Sequence, residues 1–96
     1  MYPIVYSRQA EKYLKKIKDK KLKQHFRDAI EKLRKNPYDG KAKTGDLRGI
    51  HSIDIYYNRT NYELAYRISE LESGDIIIVI MAGTRENFYK ELKKYL

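Results

Sequence analysis

Apolar residues along this chain follow two rhythms, and the change between them falls near its middle. In the first half the spacing is helical. Ala10, Tyr13, Leu14 and Ile17 recur at intervals of three and four, and Leu22, Phe26, Ala29, Ile30 and Leu33 repeat the pattern. The run Lys18–Lys21 interrupts it, which predicts two helices with a tight connection. Ser7 is placed to cap the first helix, since its side-chain oxygen can accept an orphan N–H of the opening turn. Asn36-Pro37 ends the second helix, because the residue before a proline is pushed out of the helical region. Ahead of the helices, Tyr2–Tyr6 is short, apolar and β-branched and reads as a strand. Residues 37–46 read as a loop from their Pro, Gly and Asp content.

Alternation takes over in the second half. Ile53, Ile55 and Tyr57 point one way and Ser52, Asp54 and Tyr56 the other. After a turn at 58–61, Leu64, Tyr66 and Ile68 face the core, with Glu63, Ala65 and Arg67 opposite. After a second turn at 72–75, the run 76–82 is apolar without alternation, which fits a central strand covered on much of both faces. Thr84 is placed to cap a last helix whose apolar stripe is Phe88, Leu92 and Tyr95 or Leu96. The predicted order is β-α-α-β-β-β-α, an α+β fold of one domain over residues 1–96. Three sequential strands form an antiparallel meander, and the two N-terminal helices cover one face of the sheet. The other face, carrying Asp54, Tyr56, Glu63 and Arg67, is expected to be open to solvent or a partner.

Composition narrows the function classes. There is no Cys, which excludes a disulfide framework and a thiolate metal site. His25 and His51 lie 26 positions apart, too few ligands for a metal site, and no cofactor is expected. The N-terminus lacks the apolar core of a signal peptide, and no run approaches a membrane span, so a cytoplasmic protein without membrane contact is expected. The charge is +8 overall. Residues 1–48 hold 15 basic and 6 acidic side chains, whereas residues 49–96 hold 6 and 7. That imbalance fits either a surface facing a polyanion or solvated helix exteriors.

Candidate chemistry gathers at two places. Arg85 and Tyr89 follow the central strand at the turn into the last helix, four residues apart. On a helix they would share a face, and Arg with amide donors at a helix start makes a reasonable phosphate site. The same spacing also allows Arg85 to pair with Glu86 or Glu63 and Tyr89 to pack on the sheet. In the loop before the second strand, Lys41, Lys43 and Arg48 interspersed with glycine suit contacts to backbone phosphates, which need charge and little precise geometry. His51, next to that loop, has the free pKa of about 6.5 that suits an acid or base. Tyr13 and Tyr66 are expected inside the core.

The order of elements, the "PYDGKAK" loop, "LRGIHSIDI", "YELAYRI" and the terminal "AGTRENFYKEL" together resemble the RelE/ParE superfamily, the toxin halves of type II toxin–antitoxin pairs, across essentially the whole chain. "PYDGKAK" is similar to the YoeB branch, and "LRGI" and "GTRE" to RelE. The resemblance implies a metal-free endoribonuclease that enters the ribosomal A site and cleaves mRNA by attack of a ribose 2′-OH on the adjacent phosphate. It implies Arg85 on the transition-state phosphate and Tyr89 as a stacking residue or proton donor. It further implies Lys41, Lys43 and Arg48 on RNA phosphates. Asp54 and Tyr56 stand roughly where RelE carries lysines, and Glu63 stands where RelE and YoeB carry an arginine. Arg67, further along the same face, is then the candidate replacement cation. Asp46, one position from the place of the YoeB glutamate, and His51 are candidate bases. The implied partners are a cognate antitoxin, the ribosome with its mRNA, and operator DNA only through the antitoxin. Those departures leave two alternatives, a ParE-like DNA gyrase inhibitor and a non-catalytic RNA- or antitoxin-binding module.

Overall fold

The computed structural model describes residues 1–96. Its elements are β1 (Ile4–Tyr6), α1 (Arg8–Lys16), α2 (Lys20–Lys35), β2 (Lys41–Ala42), β3 (His51–Tyr57), β4 (Thr60–Leu71), β5 (Gly74–Thr84) and α3 (Phe88–Leu92). Single 3₁₀ turns occupy Pro37–Asp39, Gly45–Leu47 and Lys93–Tyr95. The strands form one sheet in the order β1-β5-β4-β3-β2, with β1 parallel to β5 and every other pair antiparallel. The expected meander is β3-β4-β5, and the expected element order holds with β2 added. Two residues are too few to show alternation, so β2 left no periodic signal. No helix is long and apolar enough to cross a membrane.

Ser7 and Asn36-Pro37 bound the helical region as predicted, and Asp19 adds a cap between the two helices. Ser7 accepts from the Ala10 N–H and opens α1. Asp19 accepts from the Lys21 and Leu22 N–H groups and opens α2. Asn36, ahead of the buried Pro37, closes α2. Ala10, Leu22, Phe26 and Leu33 then pack on Ile55, Leu64, Tyr66, Ile77, Val79 and Ala82, forming the main core on one face of the sheet. Tyr66 is fully buried and Tyr13 half-buried at the rim of this core.

β5 does not keep one alternation throughout. Opposite β4, Met81 pairs with Ala65 but Val79 pairs with Tyr66, leaving Ile80 as an inserted residue. Such a bulge reverses which residues face which side. Before it, Ile77 and Val79 point to the helices; after it Ala82 does, while Met81 turns to the opposite face. The outer edge of β5 loses its partner here, because β1 stops at Tyr6. Side chains complete the ladder: Ser7 Oγ donates to the Ile80 carbonyl at 2.5 Å, and the Gln9 side-chain amide bonds both the N–H and the carbonyl of Ala82.

The opposite face departs from expectation. α3 lays Phe88 and Leu92 over Ile50, Ala65, Ile80 and Met81, giving a second small core. That face is therefore closed over its middle, and Glu63, expected there in the open, is buried. Thr84 does not cap the last helix. It is the final residue of β5, and the Arg85 N–H continues the ladder by donating to the Asn61 carbonyl at 2.8 Å. α3 starts at Phe88, after Asn87 in the left-handed region at φ 58°. Tyr95 and Leu96 lie beyond the buried stripe and are exposed.

Tyr66 holds the loop after α2 in place. Its hydroxyl donates to the Pro37 carbonyl at 2.5 Å and sits against Gly40, where a Cβ would collide with the phenol. Gly40→Ala is expected to cost about 1–3 kcal/mol, as overpacking does, read as a lower urea midpoint. Ser7→Ala removes a helix cap and the partner of the bulge carbonyl together, and about 1–3 kcal/mol is expected in the same measurement. Burial pushes the Tyr66 phenol from 10.0 up to about 12. The native state keeps that proton where the unfolded chain has lost it, so the associated stability is complete below pH 10 and lost as pH rises to about 12. Denaturation midpoints should fall across this window, and Tyr66→Phe should flatten the fall.

Candidate functional site

The polar groups that converge do so around Glu63. Glu63 lies on β4, opposite Asp54 of β3 on one side and Gly83 of β5 on the other. Its side chain is 1% exposed. Tyr89, in the first turn of α3, donates its phenolic hydrogen to Glu63 Oε2. The Arg85 Nε lies 3.3 Å from Glu63 Oε1. The Tyr89 hydroxyl is also 3.4 Å from Ser52 Oγ, which comes from β3. Above the phenol, the Lys43 ammonium stands 4.8 Å from the ring centroid, a cation–π distance. The Lys43 N–H donates to the Ile50 carbonyl and so holds this residue beside the start of β3.

The β5 bulge explains why Arg85 arrives here. After Ile80 the odd-numbered positions face Glu63, so the sequence Met81, Gly83, Arg85 delivers the guanidinium to that side. Arg85 precedes α3 and so does not share a helical face with Tyr89; the two meet through the carboxylate. The second arrangement that the spacing left open is the one found, an Arg85–Glu63 pair with Tyr89 packed on the sheet. Arg85 is anchored by Glu63, yet its side chain is 61% exposed, and Tyr89 packs on β3 and β4 beside Phe88.

The remaining candidates are spread around this centre. Lys41 sits at the edge strand β2 and pairs with Asp54 at 2.9 Å. That hydrogen bond, with the Asp54 charge behind it, raises the Lys41 ammonium above its ordinary pKa. Asp46 is exposed and paired with Lys93 at 3.0 Å. Arg48 is exposed at the end of the 3₁₀ turn Gly45–Leu47. His51 points to the helix side, where its ring stacks on Tyr66 with centroids 5.5 Å apart and its buried Nδ1 finds no partner. Arg67 is exposed on β4 opposite Ile78, four residues or ~13 Å along the strand from Glu63. The structure thus brings Arg85, Tyr89 and Lys43 together, keeps Lys41 beside them, and sets His51, Arg67 and Asp46 apart.

Sequence reasoning gives Ser52 no role and names Glu63 only as one possible partner of Arg85, on a face expected to be open. A signal existed for Glu63, since it alternates with buried positions of β4, but nothing local reveals that α3 covers it. The charge excess of the first half lies mostly on helix exteriors. The lysines of α1 and α2 project from helices packed on the other side of the sheet. At the site the cations Lys41 and Arg85 face the carboxylates Asp54 and Glu63. A cleft of about 530 Å³ opens between α2 and β3, and its walls include Asp54 and Tyr56 but none of Arg85, Tyr89 or Lys43.

Solved structures share this architecture. The free E. coli toxin RelE, in an arginine-to-alanine double mutant, superposes with a TM-score of 0.72 at 15% identity, over 98% of this chain and 92% of that one. A YoeB/ParE toxin from Agrobacterium tumefaciens gives 0.69 at 17% identity, over 86% and 98%. The RelBE2 toxin–antitoxin complex of Mycobacterium tuberculosis gives 0.63 at 22% identity, over 88% and 98%. At these identities the likeness is one of fold. No curated protein matches the sequence. The model of the ParE-like toxins of type II bacterial toxin–antitoxin systems matches residues 4–93. With that match across nearly the whole chain and the RelE-like fold, this protein belongs to the RelE/ParE superfamily of type II toxins.

Proposed function

We propose that this toxin is a ribosome-dependent endoribonuclease that cuts messenger RNA by metal-independent transesterification and so stops translation. The observation that carries the reading is Arg85, held from behind by Glu63 through Nε while most of its side chain faces solvent beside Tyr89 and Lys43. Attack of a ribose 2′-OH on the neighbouring phosphorus places extra negative charge on the non-bridging oxygens. A pre-oriented guanidinium stabilises that charge without having to reorganise. Lys43 adds a second cation over the Tyr89 ring, and Tyr89 carries a hydroxyl suited to proton transfer. Lys41 and Arg48 suit flanking phosphates, where charge suffices. Neither His51, on the helix side of the sheet, nor the paired Asp46 is favoured as the base, and Arg67 is better suited to a contact away from the scissile linkage.

The partner in this reading is a cognate antitoxin, in keeping with the RelBE complexes of E. coli and M. tuberculosis. An acidic or amphipathic segment laid over Arg85 and Lys43 would neutralise the cations that substrate needs. Operator DNA would be reached only through that antitoxin, and the target places the protein in the cytoplasm. A second reading, inhibition of DNA gyrase, is favoured by one observation: carboxylates neutralise two of the site's cations, which weakens a phosphate cradle.

Primer extension on mRNA under translation, with purified protein, is expected to show discrete breaks. Arg85→Ala should reduce cleavage by about 10²–10³-fold, the effect of removing one transition-state donor, and should relieve growth arrest on expression. Intact transcripts with blocked supercoiling would transfer the assignment to gyrase. Intact transcripts with retained antitoxin binding and no toxicity would leave a binding module.

A further inference from the structure

The reading above leaves the proton acceptor for the 2′-OH unassigned, and the structure holds a group suited to that task. A buried carboxylate costs several kcal/mol in desolvation unless its partners repay it, and an apolar side chain of similar volume is often the more stable choice. Glu63 is nevertheless buried in the sheet, and both of its oxygens are directed at residues of the site. Oε1 orients Arg85 and Oε2 accepts from Tyr89. The Tyr89 hydroxyl reaches both Glu63 Oε2 and Ser52 Oγ, the latter 3.4 Å away, and Lys43 stands over the half-buried Tyr89 ring.

We infer that Glu63 is the proton acceptor of the reaction, acting through Tyr89. This inference rests on the endoribonuclease reading. The 2′ oxygen forms its bond to phosphorus while the P–O5′ bond breaks. The 2′-OH proton passes to the Tyr89 oxygen as the phenol hands its own proton to Glu63 Oε2. A solvent water protonates the leaving O5′, and the hydroxide left behind returns Glu63 to its carboxylate form. Arg85 serves twice, on the phosphorane and as the ion-pair partner of Glu63 Oε1. Glu63 does not touch the substrate, so it is a positioning and relay residue, while Tyr89 is the catalytic one. The charged and titratable groups around Glu63 are Arg85, Tyr89 of α3, Asp54 across the ladder on β3, and Lys41, whose ammonium feels the Glu63 charge. Lys43 stands over the Tyr89 ring.

Glu63→Gln tests this, because the amide keeps the shape and one acceptor oxygen but takes no proton. Single-turnover cleavage of ribosome-bound mRNA is measured against pH for wild type, Glu63→Gln and Tyr89→Phe, with circular dichroism for folding and ribosome co-sedimentation for binding. In wild type the rate should rise with pH through one deprotonation. In both variants that limb should vanish and the rate should drop by about 10²–10⁴-fold, the range of acid–base catalysis, with co-sedimentation unchanged. The ¹⁵N resonance of Arg85 Nε should shift in Glu63→Gln, which removes the facing charge, and stay in place in Tyr89→Phe. A Glu63→Gln protein with the wild-type rate and acidic limb would overturn the relay and leave the endoribonuclease reading intact. If Glu63→Gln does not fold, Tyr89→Phe with the limb retained overturns the relay alone. Absence of cleavage by wild type would overturn the endoribonuclease reading itself, and the relay with it.

Discussion

One inserted residue in the longest-buried strand governs where this protein's polar chemistry ends up. Side chains on a strand alternate with a period of two, so an extra residue at Ile80 exchanges the two faces for everything that follows. Without it, Gly83 and Arg85 would be aimed at the helices. The bulge survives because its backbone is satisfied: Ser7, already the cap of α1, takes the Ile80 carbonyl, and Gln9 takes both polar groups of Ala82. The first turn of α1 and the far end of β5 are thereby one structural unit, although they lie more than seventy residues apart in the chain.

The second constraint is the buried carboxylate. Glu63 is tolerable inside only because a phenol and a guanidinium approach it, and both come from the segment that follows β5. The turn at Asn87 lets the chain double back so that α3 closes over Ala65 and Met81 while Tyr89 reaches Glu63. Closing the small second core and completing the polar network are therefore the same folding event. The resulting surface is not a bare cationic cradle. It is a balanced cluster in which Arg85 is oriented by an internal carboxylate and still presents its outer edge.

This arrangement separates the protein's charge into two populations. Most of the lysine excess of residues 1–48 lies on the outer surfaces of α1 and α2, across the sheet from Glu63. Those lysines are mobile point charges suited to non-specific polyanion attraction. Around Glu63 the cations are few: Arg85 and Lys41 are paired with carboxylates and Lys43 stands over the Tyr89 ring. The two populations thus lie on different faces of one sheet, within a family and fold shared with the RelE and YoeB/ParE toxins.

The sequence by itself determined what depends on near neighbours in the chain. Ser7 and Asn36-Pro37 bound the helical region, the 3.6-residue rhythm sets the buried faces of α1 and α2, and the alternation over 52–57 and 63–68 sets the strands of the meander. The positions of Arg85 and Tyr89 near the end of the central strand were legible for the same reason. What only the tertiary structure decided depends on partners far away. The bulge is a property of how β5 pairs with β4. The two-residue β2 exists only against β3. The burial of Glu63 follows from α3 folding back over the sheet. His51 reads as a candidate base from its place beside the basic loop, but adjacent strand residues face opposite sides, and the assembled sheet turns Ser52 towards the tyrosine and His51 onto Tyr66.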